Sequence, residues 1–166
     1  MDATALFEDA IEWLREHYSE FRFFTERDLV WTVQRQLLEQ IEDGKLALRV
    51  FNEERIGGKR ADLTLVEGDT VVLAAEFKYE PSRERDDRRG GDIRHTKFPV
   101  VDWREAAADV GRAREFAEQR HAHAGYSIFV DEGGAFRHRT APTGSRWSEW
   151  GGGVSVLWSR WREAQA

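Results

Sequence analysis

Cysteine is absent from the chain. That excludes a disulfide scaffold, a thiolate zinc site, an iron–sulfur cluster and a cysteine nucleophile, and it fits a reducing compartment. No apolar run approaches the roughly 20 residues that span a bilayer, and no basic-then-apolar leader opens the sequence, so a soluble cytoplasmic protein is expected. Internal repeats and low-complexity tracts are missing. So are a P-loop, a GxGxxG turn, an HExxH helix and a serine-centred elbow. Lysine is scarce, at 4 of 25 basic residues. A lone arginine therefore carries little weight, and the rare lysines carry more.

An excess of positive charge is also lacking. The net charge of −6 argues against a protein that coats polyanions, since such proteins are usually basic overall. The charge is uneven, however. The first 43 residues hold 11 acids against 4 arginines, which leaves about +1 for the remainder. Residues 83–97 carry six Arg or Lys against four acids, so a local basic patch can exist on an acidic protein. With 166 residues, 40% hydrophobic and 34% charged, one domain spanning 1–166 is expected, able to bury a core without metal or disulfide staples.

Periodicity divides the chain. Leu6, Ala10, Trp13, Leu14 and Tyr18 recur at helical spacing, and a second helix opens at Thr25 with Asp28 in the capping-box position. Leu29, Val33, Leu37 and Ile41 line that second helix, and Gly44 suits its end. Strands are predicted at 46–51, 60–66 and 70–79, with turns at Gly57-Gly58 and Glu67-Gly68-Asp69. A long polar loop follows, from Pro81 to about Pro99. Connections of that length inside a domain are usually functional or mobile. Asp102 and Glu105 open a third helix, and strands are predicted at 126–130, 135–139 and 154–158. The expected order is α-α-β-β-β-α-β-β-β.

The informative residues are Asp62 in the second strand and Glu76-Phe77-Lys78 in the third. Side chains alternate along a strand, so Glu76 and Lys78 share a face. A three-residue loop at 67–69 would set Asp62 opposite Ala74 and diagonal to Glu76 on that face, roughly 7–8 Å away. A two-residue loop would put the two carboxylates on opposite faces. Charges inside central strands are costly unless paired. Two hard oxygen ligands suit Mg²⁺, with Mn²⁺ as a substitute, and such an ion activates water against a phosphate. Lys78 beside that water can orient it, help deprotonate it, or stabilise the developing phosphorus centre. The triad thus suits phosphodiester hydrolysis. The acid-x-Lys pattern alone is weak, because Asp43-Gly44-Lys45 also fits it at a helix end. The competing structural reading is a Glu76–Lys78 ion pair, with Asp62 bonded to Arg60 or Lys59.

Asp62 followed by Glu76-Phe77-Lys78, on this order of elements, resembles the PD-(D/E)XK nuclease superfamily and its restriction-endonuclease-like fold. The resemblance spans roughly residues 25–131. The N-terminal helix (1–24) and a Trp-rich C-terminal extension (132–166) lie outside it. It implies an α/β fold with a central mixed sheet flanked by helices around an αβββαβ core. It also implies Asp62 and Glu76 as metal ligands and Lys78 as the catalytic lysine. Ala61 stands where the motif's name has proline. Many members add an acid from the helix before the first strand. Glu26 or Glu39 can fill that role, and Glu26 shares a face with Leu29, Val30 and Val33.

Other features have two readings each. Arg83, Arg85, Arg88, Arg89, Arg94 and Lys97 are placed to grip a phosphate backbone, or to form a solvated mixed-charge loop with Glu84, Asp86, Asp87 and Asp92. His121 and His123 read as exposed histidines. Arg112 and Arg114 face either the site or solvent. Trp147, Trp150, Trp158 and Trp161 stack bases, cover the sheet, or form a homodimer contact. The expectation is a Mg²⁺-dependent nuclease acting on DNA, and the alternative is an inactive nuclease-fold module that binds nucleic acid or a protein.

Overall fold

Among the described residues, capping chemistry starts each of three α-helices where the sequence places it. In the computed structural model, which describes residues 2–84 and 98–163, Asp2 accepts the Thr4 N–H at 3.3 Å and opens α1, Ala3–His17. A single 3₁₀ turn, Tyr18–Glu20, follows. Thr25 and Asp28 form the capping box of α2, Glu26–Gly44. The Thr25 N–H donates to Asp28 at 2.9 Å, and the Asp28 N–H donates to the Thr25 hydroxyl at 3.4 Å. Such a pair satisfies two backbone donors that the helix leaves open. Asp102 accepts the Arg104 N–H at 2.9 Å and opens α3, Trp103–Glu118.

The strands are β1 (Leu48–Ile56), β2 (Lys59–Glu67), β3 (Thr70–Glu80), β4 (Ala124–Asp131), β5 (Ser145–Gly151) and β6 (Val154–Arg162). They form one mixed sheet in the order β1-β2-β3-β4-β6-β5. Among the described residues only β3 and β4 run parallel, joined across α3, and the other four pairings are antiparallel. The fold is therefore α/β, with α2 to β4 in the order αβββαβ, a helix before that stretch and two strands after it. Among the described residues no helix is long and apolar enough to cross a membrane.

Two layers enclose the sheet. Leu6, Phe7 and Leu14 of α1 and Leu29, Val33 and Leu37 of α2 pack on Leu63, Leu65, Phe77 and Ile128. On the other face, Ala106 and Val110 of α3 meet Phe129 and Leu157, and Phe116 meets Ala74. Every position of β4 is buried, as expected for a central strand covered on both faces. Gly125 lets α3 approach: a Cβ there would lie 1.8 Å from the Ala113 carbonyl oxygen. That close approach brings the α3 turn carrying Asp109 and Arg112 against β3.

Three expectations are corrected. The β2–β3 loop is two residues long, since Glu67 pairs with Thr70. Taken alone, it would send Asp62 and Glu76 to opposite faces. The register then jumps from Val66–Val71 to Leu65–Leu73, leaving Val72 as an extra residue. One bulge shifts parity by one, so the shared face returns. Residues 135–139 form no strand, because the Asp131 carboxylate accepts the Ala135 and Phe136 N–H groups at 2.9 and 2.6 Å. Ser145–Gly151 takes the ladder position instead. Ala61, which strict strand alternation would place on the face of Leu63, packs with Ile56, Ala74 and Phe116 on the α3 side. The paired register of β2 with β3 ends at Leu63–Ala75, just before that point.

Candidate active site

Where β2 leaves β3, four carboxylates and two cations from four elements meet. Glu26 comes from the first turn of α2, Asp62 from β2, Glu76 and Lys78 from β3, and Asp109 and Arg112 from α3. Glu76 and Lys78 are brought together with Asp62 and Glu26, as the sequence indicates. Glu39 is excluded: it is exposed and pairs with Arg35 at 3.0 Å.

Asp62 replaces a missing ladder bond. Its Oδ2 accepts the Phe77 N–H at 2.7 Å, which fixes the carboxylate at the residue between Glu76 and Lys78. The structural alternative, Asp62 bonded to Arg60 or Lys59, does not occur. Arg60 pairs with Glu53 at 2.7 Å, and Lys59 pairs with Glu115. Lys78 Nζ lies 3.3 Å from Glu26 Oε2 and 3.4 Å from Asp109 Oδ2. The lysine thus bridges α2 and α3 rather than pairing with Glu76.

Glu76 is 2% exposed. Its Oε2 lies 3.1 Å from Arg112, which also pairs with Asp109. Its Oε1 is buried and has no hydrogen-bond partner. An orphaned carboxylate oxygen is rare in a folded interior and costly to keep. Burial, then repulsion from Asp62, pushes Glu76 up to about 8 despite Arg112. Burial likewise raises Glu26 and Asp109 to about 6, against the pull of Lys78. Asp62 is raised by burial, with the Phe77 N–H opposing. Lys78 is held above the ordinary lysine value: burial works against its charge, but Asp109, Glu26 and Asp62 outweigh it. Fully ionised, the cluster carries two more negative than positive charges, an imbalance that a bound cation would relieve.

Asp109 was not singled out from the sequence. It is 1% exposed and sits between Ala106 and Val110 on the buried face of α3. An acid inside an apolar stripe was the available signal. Arg112 faces the site, whereas Arg114 turns away, bonded to Glu118 at 2.7 Å and set 5.5 Å from the Trp161 ring. His121 lies 3.1 Å from Gln119 Oε1, outside the cluster. Arg83 stands over the Phe98 ring at 5.3 Å. Arg85, Arg88, Arg89, Arg94 and Lys97 lie outside the described residues.

Among the described residues no three His, Asp or Glu side chains are grouped to hold a metal ion by themselves. Asp62 and Glu76 form a two-carboxylate set, and the unpartnered Glu76 Oε1 is a donor such an ion would use. That matches Mg²⁺, which takes one or two protein carboxylates and fills its other positions with water and phosphate oxygens. Comparison with protein-family models, curated proteins and solved structures gives no match to this chain.

Proposed function

We propose that the chain is a divalent-cation-dependent nuclease of the PD-(D/E)XK type that hydrolyses phosphodiester bonds in DNA. The observation that carries this reading is the orphaned Glu76 Oε1 beside Asp62 and Lys78, inside a cluster with excess negative charge. Structural carboxylates are normally satisfied by the fold, and this one is not.

Asp62 and Glu76 would hold Mg²⁺, or Mn²⁺ in its place. When bound, such an ion lowers the pKa of its water and offsets charge on a phosphate. Lys78, raised by its acidic neighbours, stays protonated at neutral pH. Its part is therefore to stabilise negative charge on the phosphate oxygens rather than to remove a proton. Glu26, at about 6 and 3.3 Å from Lys78, has the basicity suited to accepting a proton near neutrality. Asp109 holds Lys78 and Arg112 in place through both ion pairs.

A second reading rests on Arg112. Its guanidinium already sits on Glu76 and Asp109, as an internal counter-ion would in an inactive binding module of the same fold. Purified protein incubated with plasmid and with short DNA and RNA strands separates the two. Cleavage that needs Mg²⁺ or Mn²⁺ and stops with chelator is the expected result. No cleavage of any form with either ion favours the binding module.

A further inference from the structure

Trp31 is the one tryptophan of the seven that is mainly exposed, at 60%. The others are packed. Trp13 stacks on His17, Trp103 on Trp147, Trp150 meets Tyr18, Trp158 meets Tyr126, and Trp161 lies under Arg114. The position of Trp31 is specific. It follows Arg27 by one helical turn, so the two share a face of α2. Both line a cleft of about 550 Å³ whose walls include Glu26 and Asp62 of the acid cluster. Glu53, a further acid on that wall, is paired with Arg60 at 2.7 Å. The cleft is large enough for a nucleotide, within the usual range of ligand sites.

We propose that this cleft is a subsite for one unpaired nucleotide beside the scissile phosphodiester. The Trp31 indole stacks on the base, and Arg27 pairs with the adjoining phosphate. This rests on the nuclease reading for its place in the reaction. Exposed aromatic rings are the common platform for single strands, because every base offers a π-face. A base inside a duplex has both faces covered by its neighbours and cannot stack on a side chain without leaving the helix. The subsite therefore selects a single strand, or a strand end that has come unpaired. A protein partner is the less favoured occupant, because the cleft opens onto the carboxylates that the nuclease reading places at the reacting phosphate.

The test compares wild type, Trp31→Ala and Trp31→Phe. Binding of a short fluorescent single strand and of a blunt duplex of equal length is followed by anisotropy in chelator, and cleavage is then followed with Mg²⁺. Trp31→Ala should weaken single-strand binding by about ten-fold, the lower part of the range for one stacked base, while Trp31→Phe keeps most of it. Duplex binding should be weaker than single-strand binding and unaffected by either change. With Mg²⁺, KM for the single strand should rise in Trp31→Ala and kcat should change little. Single-strand binding unaltered by Trp31→Ala overturns the subsite and leaves Trp31 as a protein-docking ring. Equal loss on both substrates, or no single-strand binding by wild type, also overturns it. If wild type cleaves nothing while Trp31→Ala still loses single-strand binding, the nuclease reading falls and the subsite stands.

Discussion

Glu76 and Glu80 lie four residues apart on β3, point to the same face of the strand, and are 2% and 1% exposed. Their surroundings differ in one respect. Glu80 accepts the Val100 N–H at 3.1 and 2.8 Å and the Val101 N–H at 2.8 Å. Its neighbour across the parallel pairing, Asp131, takes two backbone N–H groups in the same way. Glu76 receives no backbone donor. Its partner is Arg112, and its second oxygen has none. Burial raises both glutamates, but backbone amides oppose it at Glu80, while Asp62 adds to it at Glu76. Burial alone therefore does not mark a working carboxylate. What separates the two is whether the backbone neutralises the charge.

Exchanging the roles of the two glutamates gives the largest effect. Glu76→Gln should lower Mg²⁺-dependent cleavage on the order of 10²–10³-fold, as for loss of a group that stabilises developing charge. Glu80→Gln should cleave at close to the wild-type rate per folded molecule. A gel or fluorescence assay of plasmid cleavage reads both. Equal activity in the two variants would erase the distinction.

Next in size is Lys78→Met, which keeps the length of the side chain and removes its charge. Turnover should fall roughly 10²-fold, while Mg²⁺ affinity, measured by calorimetry, should hold or rise. A cation 3.3 Å from Glu26 and 3.4 Å from Asp109 competes with an ion rather than coordinating it. A large loss of Mg²⁺ affinity with unchanged turnover would remove the charge-stabilising role of Lys78.

Much of this was legible in the sequence, and the gaps have physical causes. The capping residues Asp2, Thr25 and Asp102 and the i+4 spacing of Leu29, Val33, Leu37 and Ile41 depend on local chemistry, and the helices follow them. The Asp62–Glu76 face was right although the loop length was wrong. The shorter turn and the bulge at Val72 each move the register by one in the same direction, so the face is kept while Ala74 pairs with Thr64 rather than with Asp62, and alternation alone cannot register a shift of two. Asp109 and Arg112 depend on which turn of α3 meets β3. The Gly125–Ala113 approach sets that, across a separation in sequence that periodicity does not span. Residues 135–139 follow a turn as a strand would, but Asp131 captures their first N–H groups before a ladder can.

A smaller effect separates the glutamates in stability. Glu80→Ala leaves the Val100 and Val101 N–H groups without their acceptor, and should cost about 3 kcal/mol in urea unfolding. Glu76→Gln should instead raise stability at pH 7, because the amide resembles the protonated acid and spares the fold the proton that a carboxyl moved from 4.5 to about 8 must take up. A Glu76→Gln variant as damaged as Glu80→Ala would make Glu76 a structural residue.

The smallest effect is a slope. In metal-free buffer Glu76 moves from 4.5 in the unfolded chain to about 8 in the fold. Across that interval the native state holds more protons than the unfolded state, so stability is fully present at the acid end and falls as pH rises towards 8. Glu26 and Asp109 contribute with the same sign, but only up to about 6. Between about 6 and 8 the fall belongs to Glu76, and it should approach at most about 1.4 kcal/mol per pH unit. Glu76→Gln should flatten that segment and leave the segment below 6 in place. Bound Mg²⁺ requires the deprotonated acid, so its stabilising effect should grow with pH over the same interval. Thermal unfolding of wild type and variant, with and without Mg²⁺, measures all three. A slope between 6 and 8 that survives Glu76→Gln would assign the proton to another group and leave the orphaned oxygen uncharged by this route.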